Sequence, residues 1–360
     1  MPTHSRSARS VLLTSVLVAL ALVAAACSGS SKEATATGDG PTTTQPSGLT
    51  APLTGLPDPD GEAASRPALS VKIDNNPDAR PQNGLAEADI VWEEVVEGQA
   101  TRFLAVFNST SPEIVGPIRS VRFTDPDLVW PLGGLFVYSG GVPEAVAALN
   151  AAPVQAFDEG VLEPALFRSP DRSAPHNLYG RPAEFWKLAE DPAPPLPLLR
   201  YLDEGETFGG STGGEDVASV TIDYGGVDGG SYVARYDWDA ERGEFLRSTG
   251  GEPQFGPDGE QIGTPNLIIQ FIDYNGGVGV EGAKGTVVGS AEAWVLSQGK
   301  LIRGGWSRAD LDAQTEYRDA AGEIILLPPG RTWITLPQID TEVVVEPAAP
   351  PAEATETPAG

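Results

Sequence analysis

Asp89-Ile90-Val91-Trp92-Glu93-Glu94-Val95-Val96 and Thr101-Arg102-Phe103-Leu104-Ala105-Val106-Phe107 are two runs rich in β-branched and aromatic residues, with Gly98 between them. Runs of this length and composition, separated by a short glycine turn, predict two neighbouring strands. Upstream, Leu69-Ser70-Val71-Lys72-Ile73 alternates apolar and polar residues as a half-buried strand does. Downstream, Leu135-Phe136-Val137-Tyr138 reads as a short buried strand. The turn Ser139-Gly140-Gly141 follows, and then a helix from Val142-Pro143 to Leu149 with proline near its start. Thr124-Asp125-Pro126 starts a second short helix. Pro182 to Glu190 forms a third, carrying Phe185 and Trp186. This mixture predicts an α+β or α/β N-terminal domain over residues 51–205.

The texture changes from about residue 212. Val220-Thr221-Ile222-Asp223-Tyr224, Tyr232-Val233-Ala234-Arg235-Tyr236, Leu267-Ile268-Ile269-Gln270-Phe271, Trp294-Val295-Leu296 and Ile324-Ile325-Leu326-Leu327 read as strands separated by turns such as Gln298-Gly299 and Ala321-Gly322. The expectation is an all-β domain over 212–340, a sandwich or a barrel-like fold. Between the halves, Asp191-Pro192-Ala193-Pro194-Pro195 is extended by its prolines and Gly213-Gly214 is loosened by its glycines. This predicts a domain boundary between about 195 and 215, with the strands of each half in separate sheets.

The ends have their own chemistry. Arg6 and Arg9 precede a 16-residue, mostly apolar run from Val11 to Ala26. A membrane span needs about 20 residues, so residues 1–26 read as a signal peptide. The run ends Ala24-Ala25-Ala26-Cys27 and resembles the lipobox of bacterial lipoproteins, in which the cysteine is lipidated. The position three before the cysteine is Ala24, where Leu or Val is usual. The competing reading is ordinary cleavage after an A-x-A site. Against it, Cys27 is the single cysteine of the chain and has no disulfide partner. Residues 28–50 read as a flexible tether behind the lipidated cysteine, and 341–360 as a disordered acidic tail. The expected location is the extracytoplasmic face of the cell membrane, held by lipid.

Composition excludes much. The formal charge of the 360 residues is −27, and it becomes about −29 once the two leader arginines are removed. Such acidity argues against nucleic-acid binding. Beyond the leader, His176 is the sole histidine, so two-histidine zinc sites and Cys/His nucleophilic pairs are absent. No P-loop, G-x-S-x-G elbow or G-x-G-x-x-G occurs.

What remains is a set of arginines and carboxylates. Arg80 lies in Ala79-Arg80-Pro81-Gln82. Asp89, Glu93, Glu94 and Glu97 lie along one stretch, and Arg102 follows. Arg119 and Arg122 lie in Gly116-Pro117-Ile118-Arg119-Ser120-Val121-Arg122. Arg168, Arg172 and His176 share Arg168-Ser169-Pro170-Asp171-Arg172-Ser173-Ala174-Pro175-His176. Guanidinium forks match phosphate and carboxylate geometry. Arg80, Arg102, Arg119, Arg122, Arg172, His176, Asp74 and Asp89 are therefore the candidate ligand-binding residues. Arg119 and Arg122 lie three apart, so the chain must bend between them if both serve one ligand. The plainer alternative is that these charges form ordinary ion pairs. Gly305-Trp306, Tyr317 and Trp333 are either a sugar-stacking surface or, more ordinarily, core of the β-rich half.

These motifs resemble the YerB-like lipoproteins, a bacterial family defined as a domain of unknown function. The matching pieces are Pro52-Leu53-Thr54-Gly55, Ile73-Asp74-Asn75, Ala79-Arg80-Pro81-Gln82, Gly116-Pro117-Ile118-Arg119-Ser120 and Ala174-Pro175-His176-Asn177-Leu178. In the second half, Pro329-Gly330-Arg331-Thr332-Trp333 matches. The resemblance implies a two-part lipoprotein and no assigned activity. A fainter likeness is to the LytR–CpsA–Psr cell-wall ligases. There the corresponding residues are Asp74, Arg80, Asp89 and Arg119, with Ser120 where those enzymes have aspartate. The leading expectation is a membrane-anchored lipoprotein that binds an anionic, phosphorylated envelope ligand. The alternatives are a magnesium-dependent glycopolymer phosphotransferase, the one reading that brings in a divalent cation, and a scaffold for envelope proteins.

Overall fold

In a computed structural model the two runs flanking Gly98 become strands Ile90–Val95 and Thr101–Phe107, paired antiparallel with Ile90 opposite Val106 and Val95 opposite Thr101. The structure describes residues 48–160, 163–210, 213–225 and 232–349. The expected signal peptide, Cys27 and all but the last residues of the tether lie outside them.

In chain order the first half contributes β1 (Leu69–Asp74), β2 (Ile90–Val95), β3 (Thr101–Phe107), β4 (Leu135–Val137), β5 (Gln155–Phe157), β6 (Leu166–Arg168) and β7 (Leu178–Gly180). Its helices are α1 (Asp125–Val129), α2 (Pro143–Ala151) and α3 (Pro182–Trp186). The second half contributes β8 (Glu215–Asp223), β9 (Val233–Asp239), β10 (Glu244–Thr249), β11 (Glu252–Pro253), β12 (Gly263–Thr264), β13 (Asn266–Gln270), β14 (Tyr274–Asn275) and β15 (Lys284–Gly285). It continues with β16 (Gly289–Ser297), β17 (Lys300–Arg308), β18 (Glu316–Asp319), β19 (Thr332–Leu336) and β20 (Val343–Pro347).

One sheet runs through both halves in the order β11-β10-β9-β8-β17-β16-β13-β19-β2-β3-β1-β4-β5. The seam is β19 beside β2, parallel, with Thr332 opposite Ile90 and Leu336 opposite Glu94. The separate sheets expected on either side of 195–215 are therefore not formed, and the described residues make one compact unit. The physical reason is that β2 is buried along its whole length, on both faces. A strand buried on both faces needs neighbours on both edges, and the second half supplies one of them. The core is correspondingly continuous, from Leu69 and Phe136 through Phe103 and Trp333 to Tyr236 and Phe245.

The fold is mostly β, and the second half is β-rich as expected. The first half has less helix than an α/β layer requires. The helix expected from Pro182 to Glu190 stops at Trp186. Ile324 and Leu327 form only isolated bridges, because Pro328 and Pro329 follow at once and have no N–H to donate. The tail expected to be disordered from 341 is ordered in its first part, since Val343–Pro347 pairs antiparallel with β8, and residues 350–360 lie outside the described residues. Strand β17, which carries Gly304-Gly305, was not among the expected strands. Its glycine is what admits it: a Cβ on Gly304 would lie 1.9 Å from the Arg318 carbonyl oxygen of β18. Trp306, Tyr317 and Trp333 are buried, with Trp306 Nε1 donating to the Phe271 carbonyl at 2.7 Å. They are core, not a sugar-stacking surface.

Candidate functional site

Strand register builds the site. Asp74 of β1 and Glu94 of β2 both stand opposite Arg102 of β3, so all three side chains leave the same face of the sheet. Lys72 precedes Asp74 by two and shares that face. The segment 116–124 then crosses the end of β1. Asp74 N–H donates to the Pro117 carbonyl at 2.9 Å, and Arg119 N–H donates to the Lys72 carbonyl at 2.9 Å. Ile118 makes a single bridge to Ile73 and the strand pairing ends there. The chain bends, and Arg122 N–H donates to Asp125 Oδ2 at 2.7 Å as α1 begins.

The bend gathers three guanidinium groups. Asp74 Oδ2 lies 3.0 Å from Arg119 Nε and 2.7 Å from His176 Nδ1, while its Oδ1 accepts the Asn76 N–H at 3.0 Å. Arg102 Nη1 donates to the Ser120 carbonyl at 2.9 Å. Arg122 donates from Nε to Glu97 Oε2 at 2.9 Å and from Nη1 to the Val121 carbonyl at 3.0 Å. Burial, and then the like charges of Arg122 and Arg119, bring the Arg102 pKa down to about 10, with Asp74 and Glu97 opposing. The Glu97 carboxyl is lowered, because Arg122 and a backbone N–H outweigh its partial burial. Arg119 and His176 keep 21% and 17% of their side chains exposed, so the cluster opens to solvent. The Ser139-Gly140-Gly141 turn closes its floor, with Ser139 N–H donating to the Arg119 carbonyl at 2.9 Å.

Beneath the cluster lies a buried triad. Lys72 Nζ contacts Glu94 Oε1 and, at 2.8 Å, Asp125 Oδ1, and all three side chains are inaccessible. Burial, and next the Glu94 charge, push the Asp125 carboxyl up to about 6. Neither Lys72 nor Asp125 was among the candidate residues. The available signal was that Lys72 shares the polar phase of its alternation with Ser70 and Asp74.

The other candidates go elsewhere. Arg80 lies on the opposite face, where its Nη2 donates to the Asn75 carbonyl at 3.0 Å and where burial, then Arg247, lower its pKa. Arg172 clamps the loop before it, donating to the Asp78 and Pro81 carbonyls at 3.1 and 2.9 Å. Asp89 sits at the far end of β2 from Glu94, about 17 Å away at the usual rise of a strand. It accepts the Asn108 and Ser109 N–H groups at 2.5 and 2.7 Å and the Ser109 hydroxyl at 2.5 Å. Burial raises its pKa against those bonds. The structure thus joins Arg102, Arg119, Arg122, His176 and Asp74, and leaves out Arg80, Arg172 and Asp89. A cavity of about 350 Å³ lined by Leu202, Ile302, Ile325 and Leu326, with Glu206 and Glu323, is a separate feature with no arginine on its wall.

Two family models cover the region just described. Residues 53–194 match "Protein of unknown function (DUF3048) N-terminal domain", and residues 220–334 match its C-terminal domain. The chain is 30% identical over 305 residues to "Putative lipoprotein YerB" of Bacillus subtilis (strain 168), a match that spans 81% of this chain and 87% of the relative. The chain belongs to the YerB-like family. The crystal structure of YerB from Bacillus subtilis superposes with a TM-score of 0.67 at 26% identity, over 82% of this chain and 99% of that one. Of the motifs that suggested the family, Ile73-Asp74-Asn75, Gly116-Pro117-Ile118-Arg119-Ser120 and Ala174-Pro175-His176-Asn177-Leu178 meet at the arginine cluster. Arg80, by contrast, turns to the other face, and Gly55 packs against Tyr201. The motif of the second half enters β19, the strand at the seam. Among the described residues, no helix is long and apolar enough to cross a membrane.

Proposed function

We propose that this YerB-like chain is a lipid-anchored extracytoplasmic protein whose Arg102, Arg119 and Arg122 bind an anionic, phosphorylated ligand of the cell envelope. The observation that carries the reading is the crowding of three guanidinium groups, one of them buried, against only Asp74 and Glu97. Like charges brought together in this way are relieved by an anion. Arg119 is the group best placed to receive it. Its one ion pair is the 3.0 Å contact from Nε to Asp74, and it reaches the surface. The phosphotransferase reading needs at least two carboxylates near the arginines to hold a cation, and Asp89, one of the two that the ligase likeness offered, lies at the other end of β2. The anchor is supported by the name of the Bacillus relative and by the leader and Cys27 of this sequence.

Titration of the full chain with inorganic phosphate by calorimetry tests the ligand. Arg119→Ala is expected to weaken binding by about 10-fold to 100-fold, the worth of one or two charge-assisted hydrogen bonds. Unchanged binding would return Arg119 to a plain ion pair. For the anchor, Cys27→Ala is expected to move the protein from the membrane fraction to the medium. Retention in the membrane with the leader still cleaved would overturn that half of the reading.

A further inference from the structure

His176 is the one member of the cluster whose chemistry an anion-binding site does not need. It comes from the 168–178 loop, and its ring is fixed at one nitrogen only. Nδ1 lies 2.7 Å from Asp74 Oδ2, and Asp74 is buried. A carboxylate acceptor at Nδ1 selects the tautomer with the proton there, which leaves the lone pair on Nε2. Among the described residues no hydrogen bond reaches Nε2, and the side chain is partly open to solvent. The same Oδ2 also contacts Arg119 Nε at 3.0 Å. One buried carboxylate therefore orients both a guanidinium group suited to a phosphoryl oxygen and an imidazole base beside it. Because both meet the same carboxylate oxygen, a ligand held by Arg119 would lie beside the His176 ring.

We infer that His176 is the general base of a phosphate-ester hydrolysis carried out at this cluster, a reading that rests on the anion-binding role proposed above. A water molecule attacks phosphorus and gives its proton to Nε2 as the new P–O bond forms. The bond from phosphorus to the ester oxygen breaks, and the departing alkoxide takes the proton back from Nε2. The products are a free alcohol and a phosphate with one ester bond fewer, so water is the sole co-reactant. Arg119, Arg122 and Arg102 stand against the charge that builds on the phosphoryl oxygens in the transition state. Asp74 stabilises the imidazolium formed midway, as a buried carboxylate behind a histidine base does generally.

The test pairs turnover with binding on the full chain. Release of 4-nitrophenol from 4-nitrophenyl phosphate and from bis(4-nitrophenyl) phosphate distinguishes monoester from diester chemistry. Inorganic phosphate is titrated in parallel. Hydrolysis of either ester is expected. His176→Asn keeps an amide donor for Asp74 but has no Nε2, and is expected to lower kcat by about 100-fold or more while phosphate binding persists. Diethyl pyrocarbonate supplies a second measurement on the unmutated protein, which has only two histidines, one of them in the leader. The reagent is expected to abolish turnover, and inorganic phosphate to protect. Phosphate binding without turnover of either ester would overturn the inference and leave the anion-binding reading standing. Turnover unaffected by His176→Asn would overturn it as well. Absence of both binding and turnover would overturn both.

Discussion

Glu93 and Glu94 are neighbours in sequence and face opposite sides of the same strand, and each meets a buried cation. On one side Glu93 Oε1 accepts from Arg247 Nη2 at 2.7 Å, and Tyr236 and Gln254 bond the rest of that guanidinium. Phe103, Trp333 and Tyr236 surround it, with ring centroids 5.2, 5.3 and 5.7 Å from Cζ. Burial disfavours the Arg247 charge, but Glu93 and Tyr236 more than offset that and its pKa is raised. On the other side Glu94 and Asp125 share Lys72, and above them Arg102, Arg119 and Arg122 have more charge than their carboxylates neutralise within reach of solvent. The first region is closed, its Arg247 guanidinium matched by Glu93, Tyr236 and Gln254. The second is open, and the buried Arg102 in it is held below its ordinary pKa by burial and then by the like charges of Arg122 and Arg119. A desolvated and fully satisfied charge serves the fold, whereas one crowded by like charges at the surface is suited to an incoming anion.

The contrast can be broken most severely on the closed side. Arg247→Ala strands Glu93 in the core and is expected to cost about 3–5 kcal/mol of stability, read as a lowered urea midpoint. A loss no larger than that of a surface ion pair would mean that the closed region is not closed. The triad under the open region is expected to give an intermediate effect that depends on pH. The Asp125 carboxyl is raised from 3.8 to about 6, so the folded state holds a proton there that the unfolded state releases. Its stability is therefore greatest below about pH 4, falls as pH rises from about 4 to about 6, and is flat above. Asp125→Asn should remove that decline, and parallel melting-temperature profiles for the two proteins between pH 4 and 7 would count against it. The smallest effect on folding is expected at the rim. Arg122→Ala gives up a partly exposed pair with Glu97 and should change stability by about 1 kcal/mol or less, while weakening phosphate binding in the calorimeter.

Arg119 and Arg122 were legible because they occupy a loop whose breakers mark it. Gly116-Pro117 ends the strand pairing just before Arg119, and Thr124-Asp125-Pro126 starts the helix just after Arg122. The bend that both arginines need follows from those residues. Arg80 and Asp89 were drawn into the same set by their order along the chain, but order does not report the face of a sheet or its end. Arg80 follows β1 and turns to the other face, and Asp89 stands at the start of a strand whose opposite end lies at the site. Arg247 carried no signal of its own. In Glu244–Thr249 it reads as one more polar residue of an alternating strand, and its burial follows from β9 and β10 lying over the face that carries Glu93.

Local pattern by itself determined where most strands lie, where the chain bends at Ile118, which half is rich in β structure, and which residue types are available for chemistry. Those properties depend on residues adjacent in sequence, through side-chain alternation and through the backbone limits of glycine and proline. Tertiary structure alone decided that the two halves share one sheet, that Glu93 and Glu94 lead to two different charge networks, and that His176 meets Asp74 from about a hundred residues away. Pairing between distant strands is set by which buried edges remain unsatisfied once the local strands have formed, and a parallel neighbour such as β19 leaves no periodic mark on β2 that a linear reading can detect.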